Sequence, residues 1–163
     1  MAPLFRLPPE LHTLISTFLP VEDQLQFRLT CAYFYELIPR PSHEDLLFLE
    51  TDDWARIRDV YVCRYCLRLR PASQFGEGML RRRRSRGGRD SSKRFCVECG
   101  LKPRNGTARY GPGAHVILHG QFYVVCLSCR SFQPGAIDRF GRHTSQCVGC
   151  WNGSYTSSTA AKP

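Results

Sequence analysis

The segment CLSCRSFQPGAIDRFGRHTSQCVGC, residues 126 to 150, begins and ends with a CxxC pair. Eight of the nine cysteines form four such pairs, all after residue 62: Cys63 and Cys66, Cys96 and Cys99, Cys126 and Cys129, and Cys147 and Cys150. A two-residue spacer lets two thiolates bind one metal ion, and two pairs complete a four-cysteine structural zinc site. The sequence therefore predicts two zinc ions.

The intervals between successive pairs are 29, 26 and 17 residues. A RING finger places its second and third ligand pairs nearly adjacent, so the long middle interval argues against one. Sequential pairing closes shorter loops than interleaved pairing and is favoured, although both remain open. Disulfides are the less favoured alternative. Prolines interrupt any apolar run of signal-peptide length near the N-terminus, and CxxC pairs in an intracellular chain more often bind metal.

Charge is distributed as unevenly as cysteine. Residues 1 to 62 hold 5 Lys/Arg and 10 Asp/Glu, whereas residues 63 to 163 hold 18 Lys/Arg and 4 Asp/Glu. Opposite charge in the two halves indicates different partners for each, with the basic half suited to nucleic acid or an acidic protein surface. No apolar stretch approaches the length of a membrane span, so we expect a soluble protein.

Most of the excess positive charge lies in LRRRRSRGGRDSSKR, residues 80 to 94, which has eight Lys/Arg and one acidic residue. A nuclear-import signal, a nucleic-acid phosphate contact and a merely solvated loop are all physically possible. The residues that would serve the first two roles are Arg81, Arg82, Arg83, Arg84 and Arg86.

Residues 7 to 38 read as three short helices. The first follows Pro8 and Pro9, carries an apolar face and ends at Pro20; the second spans Val21 to Leu29. The third begins near Thr30 as N-cap and ends at Pro39. Cys31, which has no CxxC partner, is expected to be a buried apolar side chain. Periodicity alone cannot separate a helix that packs in a core from one that binds a partner's groove, because both use the same spacing.

The run Leu7-Pro8, Glu10-Leu11, Ile15, Leu19, Asp23, Leu25 and Arg28-Leu29-Thr30-Cys31, followed by Phe34, resembles an F-box. This helical module binds the Skp-type adaptor subunit of SCF (Skp, cullin, F-box) ubiquitin ligases. The resemblance implies an adaptor-binding surface formed by Leu7, Pro8, Leu11, Ile15, Leu19 and Leu25. It places Leu29, Cys31 and Phe34, together with Leu25, in the interior or flanking it. Taken whole, the chain is similar to short cysteine-rich F-box proteins of filamentous fungi, through CRYCLRLRPASQF, the basic run, RFCVECGLK, RYGPGAHVILHG and FYVVCLSCR.

The remaining segments predict one connecting helix and a mostly β module. Ser42 is a possible N-cap for a helix across residues 42 to 60. Strands are expected before Cys63, Cys96 and Cys126, and a hairpin pairs residues 114 to 118 with 122 to 125 around a turn containing Gly120. Gly100 is expected to supply a positive φ after its CxxC pair.

No catalytic constellation stands out. His115, His119 and His143 are candidate replacement ligands, but eight cysteines already satisfy two ions. Closed all-thiolate sites leave no coordination position for water, so we expect no enzyme activity and no catalytic residue.

These observations predict an α+β protein with a small helical F-box-like module at residues 1–41 and a connecting helix at 42–60. A β-rich zinc-ribbon-like module follows at 61–151, with a disordered tail at 152–163. The expected function is a substrate adaptor of an SCF-type ubiquitin ligase in the nucleus and/or cytoplasm, whose partners are the Skp-type adaptor and a protein substrate. The zinc module would recruit or position that substrate. The alternative is a zinc-dependent nucleic-acid-binding regulatory protein.

Overall fold

The computed structural model describes residues 3 to 159, with the side chains of residues 4 to 153. Its N-terminal part is helical: α1 Pro9–Thr17, α2 Val21–Arg28, α3 Ala32–Leu37, α4 His43–Leu49 and α5 Asp53–Ile57. The three predicted helices are confirmed as α1 to α3. The third begins one residue later than predicted, because Cys31 takes the N-cap position while the Thr30 hydroxyl donates to the Phe27 carbonyl at the end of α2.

Aromatic side chains hold these helices together around Phe34, which is 2% exposed. The Phe27 ring packs on it with centroids 4.1 Å apart. The His12 ring meets it edge-on and shares hydrogen bonds with the Tyr33 hydroxyl, at 2.8 Å, and the Leu4 carbonyl, at 2.7 Å. Cys31, expected to be buried, is only half-buried.

The single helix predicted for residues 42 to 60 is two helices in the structure. Ser42 caps α4 as predicted, in a capping box with Asp45. The helix then stops at Glu50, and Asp52, with an extended backbone, begins α5 as its N-cap. The break turns Glu50 towards the cysteine-rich module, where its side chain is buried.

The cysteine-rich module contains two antiparallel sheets and two helices: β1 Val60–Cys63, β2 Arg68–Pro71, α6 Val97–Leu101, β3 His115–Leu118, β4 Gln121–Val125, β5 Phe132–Ile137, β6 His143–Cys147 and α7 Val148–Thr159. Strands β1 and β2 form a hairpin, and β3 to β6 form a four-stranded sheet in sequence order. This arrangement confirms the α+β class. Among the described residues, no helix has the length and apolar character needed to span a bilayer.

The predicted hairpin is confirmed as β3 and β4. Leu118 pairs with Gln121, and the two turn residues His119 and Gly120 have φ of 49° and 73°. By contrast, the strand expected before Cys96 is wrong, because the chain enters that pair from a 3-10 turn and continues into α6.

Gly100 and the C-terminal tail also differ from expectation. Gly100 lies within α6, and its small size is needed because an added Cβ would lie 2.4 Å from the Tyr110 ring. Residues from Asn152 to Thr159 are not disordered but continue α7. This helix begins at Val148, inside the last CxxC pair, so the chain is already helical where the predicted tail begins. Residues 160 to 163 of the predicted disordered tail lie outside the described part.

A buried ion pair joins the two modules. Arg94, fully buried, donates two hydrogen bonds to the carboxylate of Glu50, which is 1% exposed. The Val62 backbone N–H donates to the same carboxylate at 2.7 Å, and Arg86 donates to the Glu50 carbonyl. Glu50 therefore links α4, strand β1 and the basic segment that precedes Cys96.

We expect Glu50→Gln to lower the free energy of unfolding by about 3–5 kcal/mol, because it leaves Arg94 as a buried charge without a carboxylate. Thermal and urea unfolding of the full chain measure this loss. The matched control is Asp53→Asn, which removes the exposed Arg56–Asp53 pair and should cost less than about 1 kcal/mol. Similar losses in both variants would show that Glu50 holds no special place in the fold.

Candidate metal centres and interaction surfaces

The eight paired cysteines form two clusters, each made from consecutive pairs. Cys63, Cys66, Cys96 and Cys99 compose the first tetrad, and Cys126, Cys129, Cys147 and Cys150 compose the second. The structure thus has the sequential pairing that loop length favoured, and each tetrad is positioned to hold one metal ion. No disulfide joins any of the described cysteines, Cys31 among them.

Both tetrads are built in the same way. The first pair lies in the turn of an antiparallel hairpin, between β1 and β2 in one tetrad and between β4 and β5 in the other. The second pair lies at the first turn of a helix, α6 or α7. A tight hairpin turn and a helix start each bring two side chains three positions apart to one side, and the two pairs then converge.

The hairpin turns share one backbone geometry. Leu67 and Arg130, each directly after the second cysteine of its turn, have φ of 50° and 57°. The Leu67 N–H donates to the Cys63 carbonyl at 3.0 Å, and the Arg130 N–H donates to the Cys126 carbonyl at 2.9 Å. Two non-glycine residues therefore take a strained, positive-φ conformation after the first pairs, whereas Gly100, after the second pair of the first tetrad, is helical and lacks the expected positive φ.

The sulfur positions fit a tetrahedral metal ion. Within each tetrad the four Sγ atoms lie within 4.8 Å of one another. A metal–sulfur distance of about 2.3 Å implies sulfurs about 3.8 Å apart. Cys129 Sγ and Cys147 Sγ are 3.8 Å apart. Backbone N–H groups already point at the sulfurs, as with Cys96 N to Cys63 Sγ at 3.3 Å.

The local electrostatics favour thiolates at two of the cysteines. A hydrogen bond with the Cys96 side chain lowers the pKa of Cys63 to about 4 and raises the pKa of Cys96. Burial by itself would raise the pKa of Cys126, but backbone N–H groups at Cys129 and Cys147 lower it to about 6. Metal ions bind the deprotonated sulfur, so each tetrad offers at least one ligand that is already ionised at neutral pH.

Arg70 on β2 supplies a cation to the first tetrad. Burial and the nearby Cys63 raise the pKa of Cys66, and a hydrogen bond from Arg70 opposes that rise. The buried Nε of Arg70 has no hydrogen-bond partner within the part of the chain that the structure describes. A metal-bound thiolate at Cys66 would satisfy this donor, and a four-thiolate site with a divalent ion carries net negative charge that a guanidinium offsets.

The histidines considered as replacement ligands lie outside both tetrads. The His143 ring stacks on Phe122 with centroids 4.0 Å apart, and the His115 ring meets the same phenylalanine edge-on. His119 occupies the exposed β3–β4 turn. All three belong to the surface of the four-stranded sheet.

Helix α1 presents an inverted amphipathic pattern. Its buried residues are the polar His12 and Ser16, at 1% and 3% exposure. Its large apolar side chains are exposed instead, with Leu11 at 42% and Ile15 at 38%, and Phe18, directly after the helix, is 80% exposed. Of the other predicted adaptor-binding residues, Leu7 and Pro8 are exposed while Leu19 and Leu25 are half-buried.

The basic segment is ordered in short 3-10 turns and contributes some of its arginines to the fold. Arg86 donates to the Val60 carbonyl at 3.1 Å and covers the Tyr61 ring, so its guanidinium is engaged internally. Arg84 is half-buried. Arg81, Arg82 and Arg83 are exposed, and Arg81 pairs with Glu77. Of the five arginines predicted for import or nucleic acid, these three remain on the surface.

Sequence reasoning missed the roles of Arg70, Arg94 and Glu50. The two arginines lie in a region rich in basic residues, where a buried arginine has the same local pattern as an exposed one. Glu50 lies among other acidic residues in an amphipathic helix. Only tertiary packing distinguishes these side chains from their neighbours: packing between the two modules for Glu50 and Arg94, and packing around the first tetrad for Arg70.

Residues 4–44 match the family model of the F-box domain. The match covers α1 to α3 and the first residues of α4. Neither the curated proteins nor the solved structures contain a match to the chain. F-box domains generally bind Skp-type adaptors in SCF complexes, and proteins that carry them typically act as adaptors rather than enzymes.

We expect the purified chain to bind one metal ion per tetrad. The Cys99→Ser variant should lose only the ion of the first tetrad, because three thiolates leave a tetrahedral four-ligand site incomplete. Elemental analysis of the purified protein counts the ions. Cys31→Ser is the matched control and should keep both, since Cys31 lies outside the tetrads. A metal-free, folded wild-type protein would contradict the assignment.

Proposed function

We propose that this protein is a non-catalytic substrate adaptor of an SCF-type ubiquitin ligase. The F-box segment binds the Skp-type adaptor through α1, and the cysteine-rich module recruits or positions the target. Such a complex acts in the nucleus and/or cytoplasm. The observation that carries the proposal is the inverted pattern of α1, in which polar His12 and Ser16 are buried while Leu11 and Ile15 are exposed.

That pattern separates two interpretations of the apolar spacing in α1, a helix that packs in a core and a helix that binds a partner. A helix that merely completed a core would bury its leucines and expose its histidine and serine. In α1 the interior positions are taken by side chains that satisfy their polar atoms locally, as His12 does with Tyr33 and Leu4. The leucines and isoleucine therefore form an apolar surface for a partner.

We further propose that the metal in each tetrad is zinc. Four thiolates in tetrahedral arrangement suit Zn²⁺, which has no redox chemistry of its own. When bound, the ions would crosslink hairpin turns to helix starts and leave no open coordination position. The role inferred for them is structural, which agrees with a module that binds a target and does no chemistry.

The Glu50–Arg94 pair supports a positioning role for the cysteine-rich module. Because the pair is buried at the junction, the module is attached to the F-box helices through a defined interface and not through a flexible linker. A target bound to the module would then be held in a constant orientation relative to the adaptor subunit, which ubiquitin transfer from a distant catalytic subunit requires.

We expect Leu11→Asp and Ile15→Asp each to weaken binding to the Skp-type adaptor by at least about tenfold, because a carboxylate would be desolvated in an apolar interface. Pull-down and calorimetry with purified adaptor measure the effect. Ile57→Asp on α5 is the matched control, because Ile57 is 82% exposed and lies outside α1. The proposal is wrong if the wild-type chain does not bind the adaptor, or if the control weakens binding equally.

A second candidate is nucleic-acid binding through the exposed Arg81, Arg82 and Arg83. We expect the triple change of these arginines to Gln to reduce any salt-sensitive RNA or DNA binding. The slope of the logarithm of affinity against the logarithm of salt concentration should become less steep by roughly one unit for each phosphate that the protein no longer neutralises. Fluorescence polarisation with a labelled single-stranded oligonucleotide at several salt concentrations measures both. No binding at low salt removes this candidate.

A further inference from the structure

A groove of about 510 Å³ lies between α2 and the hairpin turn of the first tetrad. Leu25 and Leu29 line it from α2, Leu46 and Trp54 from α4 and α5, and Leu67 from the β1–β2 turn. Leu29 is 71% exposed although it faces this apolar lining. The volume falls within the range of sites that accept a small ligand or a few peptide side chains.

Positive charge borders the groove. Arg28, Arg40 and Arg68 line it, against a single acidic residue, Glu22. Across the residues that the structure describes, none of these three arginines forms an ion pair with a carboxylate. The groove therefore combines apolar walls with uncompensated guanidinium groups.

Two of these guanidinium groups are held in place by the fold. Arg28 lies 3.9 Å above the Tyr35 ring and donates to the Ile38 carbonyl at 2.9 Å. Arg40 donates to the Tyr35 hydroxyl at 3.1 Å. Hydrogen bonds from Arg40 and then Arg28 lower the pKa of Tyr35, in keeping with the positive potential there. Fixed donors lose little entropy when an anion binds, so the site is prepared for a carboxylate.

We propose that this groove is where the target binds, through a short peptide segment that carries an apolar side chain beside an aspartate or glutamate. The apolar side chain fills the space between Leu29 and Leu67, and the carboxylate pairs with Arg28 and Arg40. This inference deepens the adaptor function proposed above and rests on it for the identity of the ligand as a target.

The groove and the α1 surface are separate, so both can be occupied at once. No residue of α1 lines the groove. Leu25, which the F-box resemblance placed at the adaptor surface, also lines the groove. The groove is also tied to the first tetrad, because Cys66 itself lines it and the adjacent Leu67 is held at a φ of 50° by the turn.

The test is peptide selection on the full-length, metal-loaded protein with a random nine-residue display library. We expect enrichment of peptides with an apolar residue next to Asp or Glu. The strongest peptide, synthesised with a fluorophore, should bind wild-type protein and lose about tenfold or more in affinity with Leu29→Asp and with Arg40→Glu, as expected for a buried apolar side chain and a charge-assisted hydrogen bond.

Matched controls are Phe48→Asp and Arg139→Glu, which change an exposed apolar and an exposed basic residue outside the groove. Both should keep peptide affinity. Circular dichroism and metal content confirm that every variant is folded. The groove proposal is overturned if no peptide is enriched, if the enriched peptides lack acidic residues, or if the groove and control variants behave alike.

Adaptor binding, measured on the same variants, separates this proposal from the previous one. Leu11→Asp should lose the adaptor and keep the peptide, and the groove variants should do the reverse. Loss of the adaptor in the groove variants would show that the adaptor occupies the groove and would overturn the inference. Peptide binding by a chain that never binds the adaptor would leave the groove in place and refute the ligase function.

Discussion

The buried pair of Glu50 and Arg94 is the interaction on which the arrangement of the two modules depends. Each half of the chain contributes one member, Glu50 from the acidic helical half and Arg94 from the basic cysteine-rich half. Neither charge is exposed to water, so each would be strongly unfavourable without the other. The backbone N–H of Val62 donates to the Glu50 carboxylate and the Arg84 carbonyl accepts from Arg94, which satisfies further polar atoms of the pair and fixes its geometry.

The position of this pair explains why the first tetrad is better sheltered than the second. Arg94 lies two residues before Cys96, and Val62 directly precedes Cys63, so the ion pair holds both approaches to the first tetrad against α4. Phe75 and Phe95 complete its core. The second tetrad has no such support from the described part of the helical module, and its Cys129 is exposed.

The cysteine-rich half repeats one design twice, a hairpin turn followed by a helix start, although the two copies share little beyond their CxxC pairs. A metal ion bound by four thiolates would supply the binding energy that a small hydrophobic core lacks. The residues between the pairs are therefore free to differ. One copy contains the basic segment and packs against the helices, while the other contains the four-stranded sheet.

Within the segment that matches the F-box model, helix α1 inverts the usual rule that apolar side chains are buried. Phe34 packs against aromatic rings of both other helices, Phe27 of α2 and His12 of α1, and the large apolar residues of α1 remain exposed. The groove beyond α2 arises for a different reason. It exists because α2 and the β1–β2 turn approach each other without closing, and it needs both modules in place.

The sequence by itself determined the local features: three helices, the first and third of them followed by prolines, the Ser42 cap, the β3–β4 hairpin, and two cysteine tetrads from four CxxC pairs. These follow from short-range chemistry, in which spacing and turn residues act within a few positions of the chain. The expectation of a strand before Cys96 failed because Arg94 is held by Glu50, 44 residues away. The need for glycine at position 100 likewise comes from a residue outside its own turn, because the Tyr110 ring occupies the space that a side chain would take. Only the tertiary structure decided which apolar residues of α1 face outward, which arginines are buried and where a groove forms, because each depends on packing between segments far apart in sequence.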